Sequence, residues 1–117
     1  MKKTILIDFD GVVHSYSSGW SGINTIRDKP VEGAFKFLEE CLNRFEVYIY
    51  STRCETEEGI AAMIRWFKVW EFNRVDDLRF TYMKIPAWLT IDDRTFQFNG
   101  IFPTVEEIDN FKPWNKK

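Results

Sequence analysis

Apolar and polar positions along this chain switch repeatedly between strand-like and helix-like spacing. Residues 3–8 (KTILID) hold a short β-branched apolar run that ends at a glycine-containing turn, the pattern of a buried strand. Residues 12–30 are rich in Ser, Gly and aromatics with no helical period, and read as a loop or small hairpin flap. After Pro30, Ala34, Leu38, Cys41, Leu42 and Phe45 fall on one face of an amphipathic helix. FEVYIYS (45–51) predicts a second strand. The stretch 52–72 predicts a second helix, with Ile60, Met63, Ile64 and Phe67 on one face and Thr52 and Glu55 as a capping box. LRFTYM (78–83) suggests a short third strand, and AWLTIDD (87–93) a further strand that again ends in acid. FQFNGIF suggests a strand or hairpin around Asn99–Gly100. Thr104 and Glu107 form another capping box before a short terminal helix, and the tail KPWNKK reads as loose.

Composition narrows the class. The chain has 117 residues, 44% hydrophobic and 29% charged, which fits one globular domain spanning residues 1–117. Eleven Phe and five Trp among so few residues predict an aromatic core, with some left for a binding rim. A net charge of −2 supplies no broad basic field to hold a nucleic-acid duplex, although a local basic cluster around a small anion remains compatible with it. Cys41 and Cys54 have no metal-ligand spacing and read as a helix-face thiol and a helix-start residue. The N-terminus lacks the apolar stretch of a signal peptide, and no apolar run approaches the ~18 residues of a membrane span. The expectation is a cytoplasmic protein with reduced thiols, with self-association left open.

The order strand, helix, strand, helix, strand, strand predicts an α/β fold with a mostly parallel sheet. Ligands of such sheets bind beyond the carboxyl ends of the strands. Parallel strands therefore bring Asp8 and Asp10, Ser51 and Thr52, and Asp92 and Asp93 to one rim. Carboxylates about 4 Å apart repel by roughly 4 kcal/mol per pair at an effective dielectric of ~20. Either some of them hold protons or a hard divalent cation such as Mg²⁺ sits among them. A lone D-x-D-G also serves as an ordinary turn. Its conjunction with TIDD at the end of a second apolar strand is what points to a metal and phosphate site.

These residues resemble the haloacid dehalogenase-like (HAD) phosphohydrolases. ILIDFDGVV matches their first motif, VYIYST their second, Lys84 in YMKIPA their third and LTIDD their fourth, in order across residues 5–93. The resemblance implies a three-layer, Rossmann-like sandwich and Mg²⁺-dependent hydrolysis of a phosphate monoester. Asp8 would be the nucleophile and Asp10 the general acid and base. Ser51 and Lys84 would contact the transferring phosphoryl group. Asp8, the Asp10 backbone carbonyl and the paired acids Asp92 and Asp93 would hold the metal, with Asp93 favoured for direct contact and Asp92 for pairing with Lys84. Gly11, Thr52, Arg53 and His14 are the candidate substrate-side residues, and Tyr16 and Trp20 could stack on a substrate ring.

Two features depart from the family pattern. Neither the gap after the first motif nor the gap after the second is long enough for a cap domain, which predicts an open site covered at most by the flap. Too few residues join LRFTYM to AWLTIDD for an ordinary parallel crossover, which needs about a dozen, so a third strand parallel to the fourth is unexpected. The leading functional expectation is a phosphomonoesterase acting on a phosphorylated small molecule, a nucleotide or a nucleic-acid end. The alternatives are a nucleotidase or polynucleotide 3′-phosphatase, suggested by the S-T-R after the second strand, and a non-catalytic metal- or phosphate-binding module. A dehalogenase does not use this D-x-D metal arrangement.

Overall fold

The first apolar run becomes the centre of the sheet. The computed structural model describes residues 2–116. Along the chain come β1 (Thr4–Asp8), α1 (Ala34–Leu42), β2 (Glu46–Tyr50), α2 (Glu57–Val69), β3 (Arg79–Thr81), β4 (Leu89–Ile91) and α3 (Val105–Asp109). Short 3-10 turns lie at Thr52–Glu55, Val75–Asp77 and Trp114–Lys116. The sheet order is β3-β2-β1-β4, and every pairing is parallel. The α/β class and the parallel sheet are as the sequence predicts.

Strand side chains alternate between faces. Ile5 and Ile7 therefore share a face with their register partners Val47 and Ile49. These four join Leu38, Cys41 and Leu42 of α1 and Met63, Trp66 and Phe67 of α2 in one buried cluster. Right-handed crossovers that step in one direction across a sheet put both helices on the same side. The steps from β1 to β2 and from β2 to β3 are such a pair. The β3–β4 crossover, residues 82–88, carries no helix for the other face, and α3 has no buried residue. Leu6 faces that way and is nonetheless fully buried.

The third strand is real and parallel to β4, against the expectation from loop length. The two strands lie at opposite edges of the sheet and have three residues each. The link must cross three strand spacings of about 4.8 Å and return along one short strand. That is roughly 17 Å, within the roughly 25 Å that an extended link of this length can reach. A dozen residues are needed when the crossover carries a helix, and this one does not.

Three other expectations change. The predicted second helix is two elements. A 3-10 turn comes first, and Thr56, not Thr52, caps α2 by accepting a hydrogen bond from the Gly59 N–H at 3.0 Å. Asn99–Gly100 does form a turn, with the Asn99 Oδ1 accepting from the Ile101 N–H and Gly100 at φ 101°, but no strand flanks it. Phe96, Phe98, Ile101 and Phe102 there are exposed, so this aromatic segment is not core. The tail is docked: Pro113 is buried, and the Trp114 Nε1–H donates to the Gly11 carbonyl at 2.7 Å. Thr104 caps α3 as expected, its Oγ1 accepting from the Glu107 N–H at 3.0 Å, which is one half of the predicted capping box.

Candidate active site

β1 delivers Asp8 to the carboxyl rim, and β4, paired directly beside it, ends just before Asp92 and Asp93. The chain leaves β1 towards one edge, while β4 lies on the other side of it. This is the switch point of the sheet, where a crevice opens. Phe9, completely buried, anchors the turn that follows, its carbonyl accepting from the Val13 and His14 N–H groups. Gly11 sits at φ 87°, and a Cβ there would run into the Asp93 carboxylate. Its place in the site is therefore steric: it lets the turn and the acid pair close on each other.

Asp8, Asp92 and Asp93 each offer a carboxylate oxygen, and these oxygens lie within 4.8 Å of one another. Burial, followed by the charge of Asp92 and the hydrogen bond and charge of Asp93, pushes the Asp8 carboxyl up to about 8. Asp93 is also raised, chiefly by burial. Three crowded carboxylates, with Asp8 and Asp93 raised above their ordinary values, are a donor set suited to a hard divalent cation. The Asp10 side chain is not part of this trio.

A pH dependence of stability follows. The folded-state pKa of Asp8 lies above its ordinary value of 3.8, so between the two the folded state holds a proton that the unfolded chain lacks. Stability of the metal-free protein is expected to fall as pH rises from 5 to 8, on the order of 2–3 kcal/mol after allowance for solvent screening. Saturating Mg²⁺ is expected to flatten the slope, since it favours the ionised carboxylates. Urea unfolding at several pH values, with Mg²⁺ and with a chelator, checks this. A metal-free stability that rises across the window would refute it.

Asp10 is held by a separate network. Arg53 is completely buried and grips Asp10 twice, Nε to Oδ2 at 2.9 Å and Nη2 to Oδ1 at 3.2 Å. Its Nη1 donates to the flap carbonyls of Gly22, Ile23 and Thr25 at 2.8, 2.9 and 3.2 Å. His14, also buried, has its Nδ1 2.8 Å from Asp10 Oδ1, while its Nε2 accepts from the Asp28 N–H at 3.1 Å. An Nε2 acceptor assigns the ring proton to Nδ1, which donates to Asp10. Ser18 ties the flap to itself through the Asp28 carboxylate. Arg53 and His14, expected near the substrate, instead fix Asp10 and the flap.

Ser51 is buried at the end of β2, and its Oγ accepts from the Arg53 N–H at 3.1 Å. It caps the 3-10 turn at Thr52–Glu55, where Thr52 was the expected cap of the second helix, while its own O–H remains available to donate. Thr52 is exposed and lines the cavity. Lys84 lies on the exposed 82–88 link and does not line the cavity. The cations that do line it are Arg94, directly after the acid pair, and Lys116 of the docked tail. The position of Arg94 beside the fourth motif was a signal available in the sequence. Lys116 depends on the tail's hydrogen bonds to the flap region and carried no local signal.

The cavity at this rim has a volume of about 320 Å³ and includes Asp8, Asp10, Asp92 and Asp93, with Tyr16, Trp20 and Tyr50 as its aromatic wall. Among the described residues, no helix is long and apolar enough to cross a membrane. No protein-family model matches the chain, and no curated protein or solved structure matches it.

Proposed function

We propose that this protein is a Mg²⁺-dependent phosphomonoesterase of the HAD-like type, working through an aspartyl-phosphate. The observation that carries the reading is the division of labour at the rim. Asp8 shares a trio with Asp92 and Asp93, while Asp10, two residues on, is held apart by Arg53 and His14. In this reading the sheet is the Rossmann-like core of a capless member of that family.

Asp8, Asp92 and Asp93 would hold the metal, which when bound supplies positive charge against the phosphoryl oxygens. An Asp8 oxygen attacks phosphorus as the bond from phosphorus to the leaving oxygen breaks, and Asp10 gives that oxygen a proton. Asp10 then takes a proton from the water that attacks the aspartyl-phosphate, which frees inorganic phosphate and restores Asp8. Asp10 Oδ1 accepts two hydrogen bonds and Oδ2 one, so Oδ2 retains the free lone pair that can carry the proton. The Ser51 hydroxyl is placed to donate to a phosphoryl oxygen. Arg94 and Lys116 stand where the family resemblance would put Lys84.

Purified protein should hydrolyse a generic aryl phosphate with Mg²⁺ and lose that activity in EDTA. Arg94→Ala is expected to lower kcat/KM by about 10- to 100-fold, since charge on the transferring group is the main demand of this chemistry. Lys84→Ala should cost less than Arg94→Ala. The reverse order would show that the link carrying Lys84 closes over the site.

A further inference from the structure

The aromatic wall of the cavity bears on the leaving group, and this step rests on the phosphomonoesterase reading. Trp66 shows how this chain buries an indole: it is 5% exposed, with Nε1–H donating to the Asp28 carbonyl. Trp20 is different. It is 52% exposed and lines the cavity, with its ring 4.7 Å from the guanidinium carbon of Arg53. A buried cation thus backs one face of the indole. Tyr16 lines the same cavity from a left-handed backbone at φ 60°, a conformation that bulky residues rarely adopt.

The guanidinium that backs Trp20 also grips Asp10, the group that protonates the leaving oxygen. The aromatic platform therefore lies on the leaving-group side of phosphorus, not on the side of Asp8. Trp20 and Asp10 line the same cavity on either side of one guanidinium, so a ring stacked on Trp20 and carried on a sugar would leave its ester oxygen towards Asp10. A flat heteroaromatic ring stacks on such a platform whatever its sequence identity. The cavity volume lies at the lower end of small-ligand sites.

We propose that Trp20 is the stacking platform for a nucleobase, and that the substrate is a nucleoside monophosphate, either free or at the end of a single strand.

The test is binding to full-length Asp8→Asn protein with Mg²⁺, measured by calorimetry, so that turnover is not required. Ribose 5-phosphate is AMP with an anomeric hydroxyl in place of the base. AMP is expected to bind at least about tenfold tighter, a difference of about 1.4 kcal/mol. Adding Trp20→Ala should bring that ratio towards one, while Trp20→Phe should keep most of it. Equal binding of the two phosphates, no binding of AMP, or a ratio indifferent to Trp20→Ala would overturn the proposal. A short oligonucleotide ending in a 3′-phosphate separates the two sources: tighter binding than AMP assigns the strand end, weaker binding the free nucleotide, and both sustain the base platform. The two readings also fail separately. If wild-type protein hydrolyses ribose 5-phosphate but shows no preference for AMP, the platform is wrong. If the AMP preference stands but no phosphate ester is turned over, the phosphatase reading is wrong.

Discussion

Exchanging Asp8 for asparagine is expected to lower kcat for a phosphate monoester by about 10⁴- to 10⁶-fold, the range seen when a covalent nucleophile is removed. The amide keeps the shape of the side chain but cannot form the aspartyl-phosphate. The loss should therefore fall on kcat, with substrate affinity changed far less. Stability should move the other way. Asp8 is held up near 8 by burial and by Asp92 and Asp93, so a neutral amide relieves repulsion within the trio. Metal-free Asp8→Asn should unfold at a higher temperature than wild type above neutral pH, and Mg²⁺ should stabilise it less. Turnover above about 1% of wild type would sink the nucleophile assignment. A lowered midpoint at pH 8 would sink the electrostatic account of the trio.

The second large effect concerns Arg53. Its guanidinium satisfies both Asp10 oxygens and three flap carbonyls from a completely buried position. Arg53→Met conserves much of the volume and removes every donor. Asp10 is left with His14 alone, and the carbonyls of Gly22, Ile23 and Thr25 lose their shared partner. Breaking a buried ion pair on one side costs about 3–5 kcal/mol. Against the roughly 5–15 kcal/mol that holds a domain together, the loss should lower the melting temperature by more than about 10 °C. Arg53→Lys should recover little, because an ammonium cannot serve a carboxylate fork and three carbonyls together. A variant that melts within about 2 °C of wild type would show that the flap and Asp10 are held by other means.

Arg53 also marks where reading residues in order stops. Its place after the second strand made it a candidate to touch substrate. Nothing in the local pattern tells that residues 22–25 fold back over it, since that contact joins parts of the chain about thirty residues apart. His14 is the same case: an isolated histidine in a loop becomes a buried link between Asp10 and the Asp28 backbone.

What the residues did announce was local. Apolar runs ending in acid placed β1 and β4, helical spacing placed α1 and α2, and their order implied a parallel sheet. From that alone Asp8, Asp10, Ser51, Asp92 and Asp93 were assigned to one rim, because parallel strands end on the same side. Packing across the sheet decided the rest. The extended crossover from β3 to β4 works because short strands at opposite edges need little chain to join them. The tail becomes part of the site because Trp114 finds the Gly11 carbonyl. Arg94 and Lys116 line the cavity, and Lys84 does not, because the 82–88 link runs exposed. Short-range pattern sets which element a residue belongs to, but partners distant in the chain are set by how layers close, and one residue's neighbours carry no record of that.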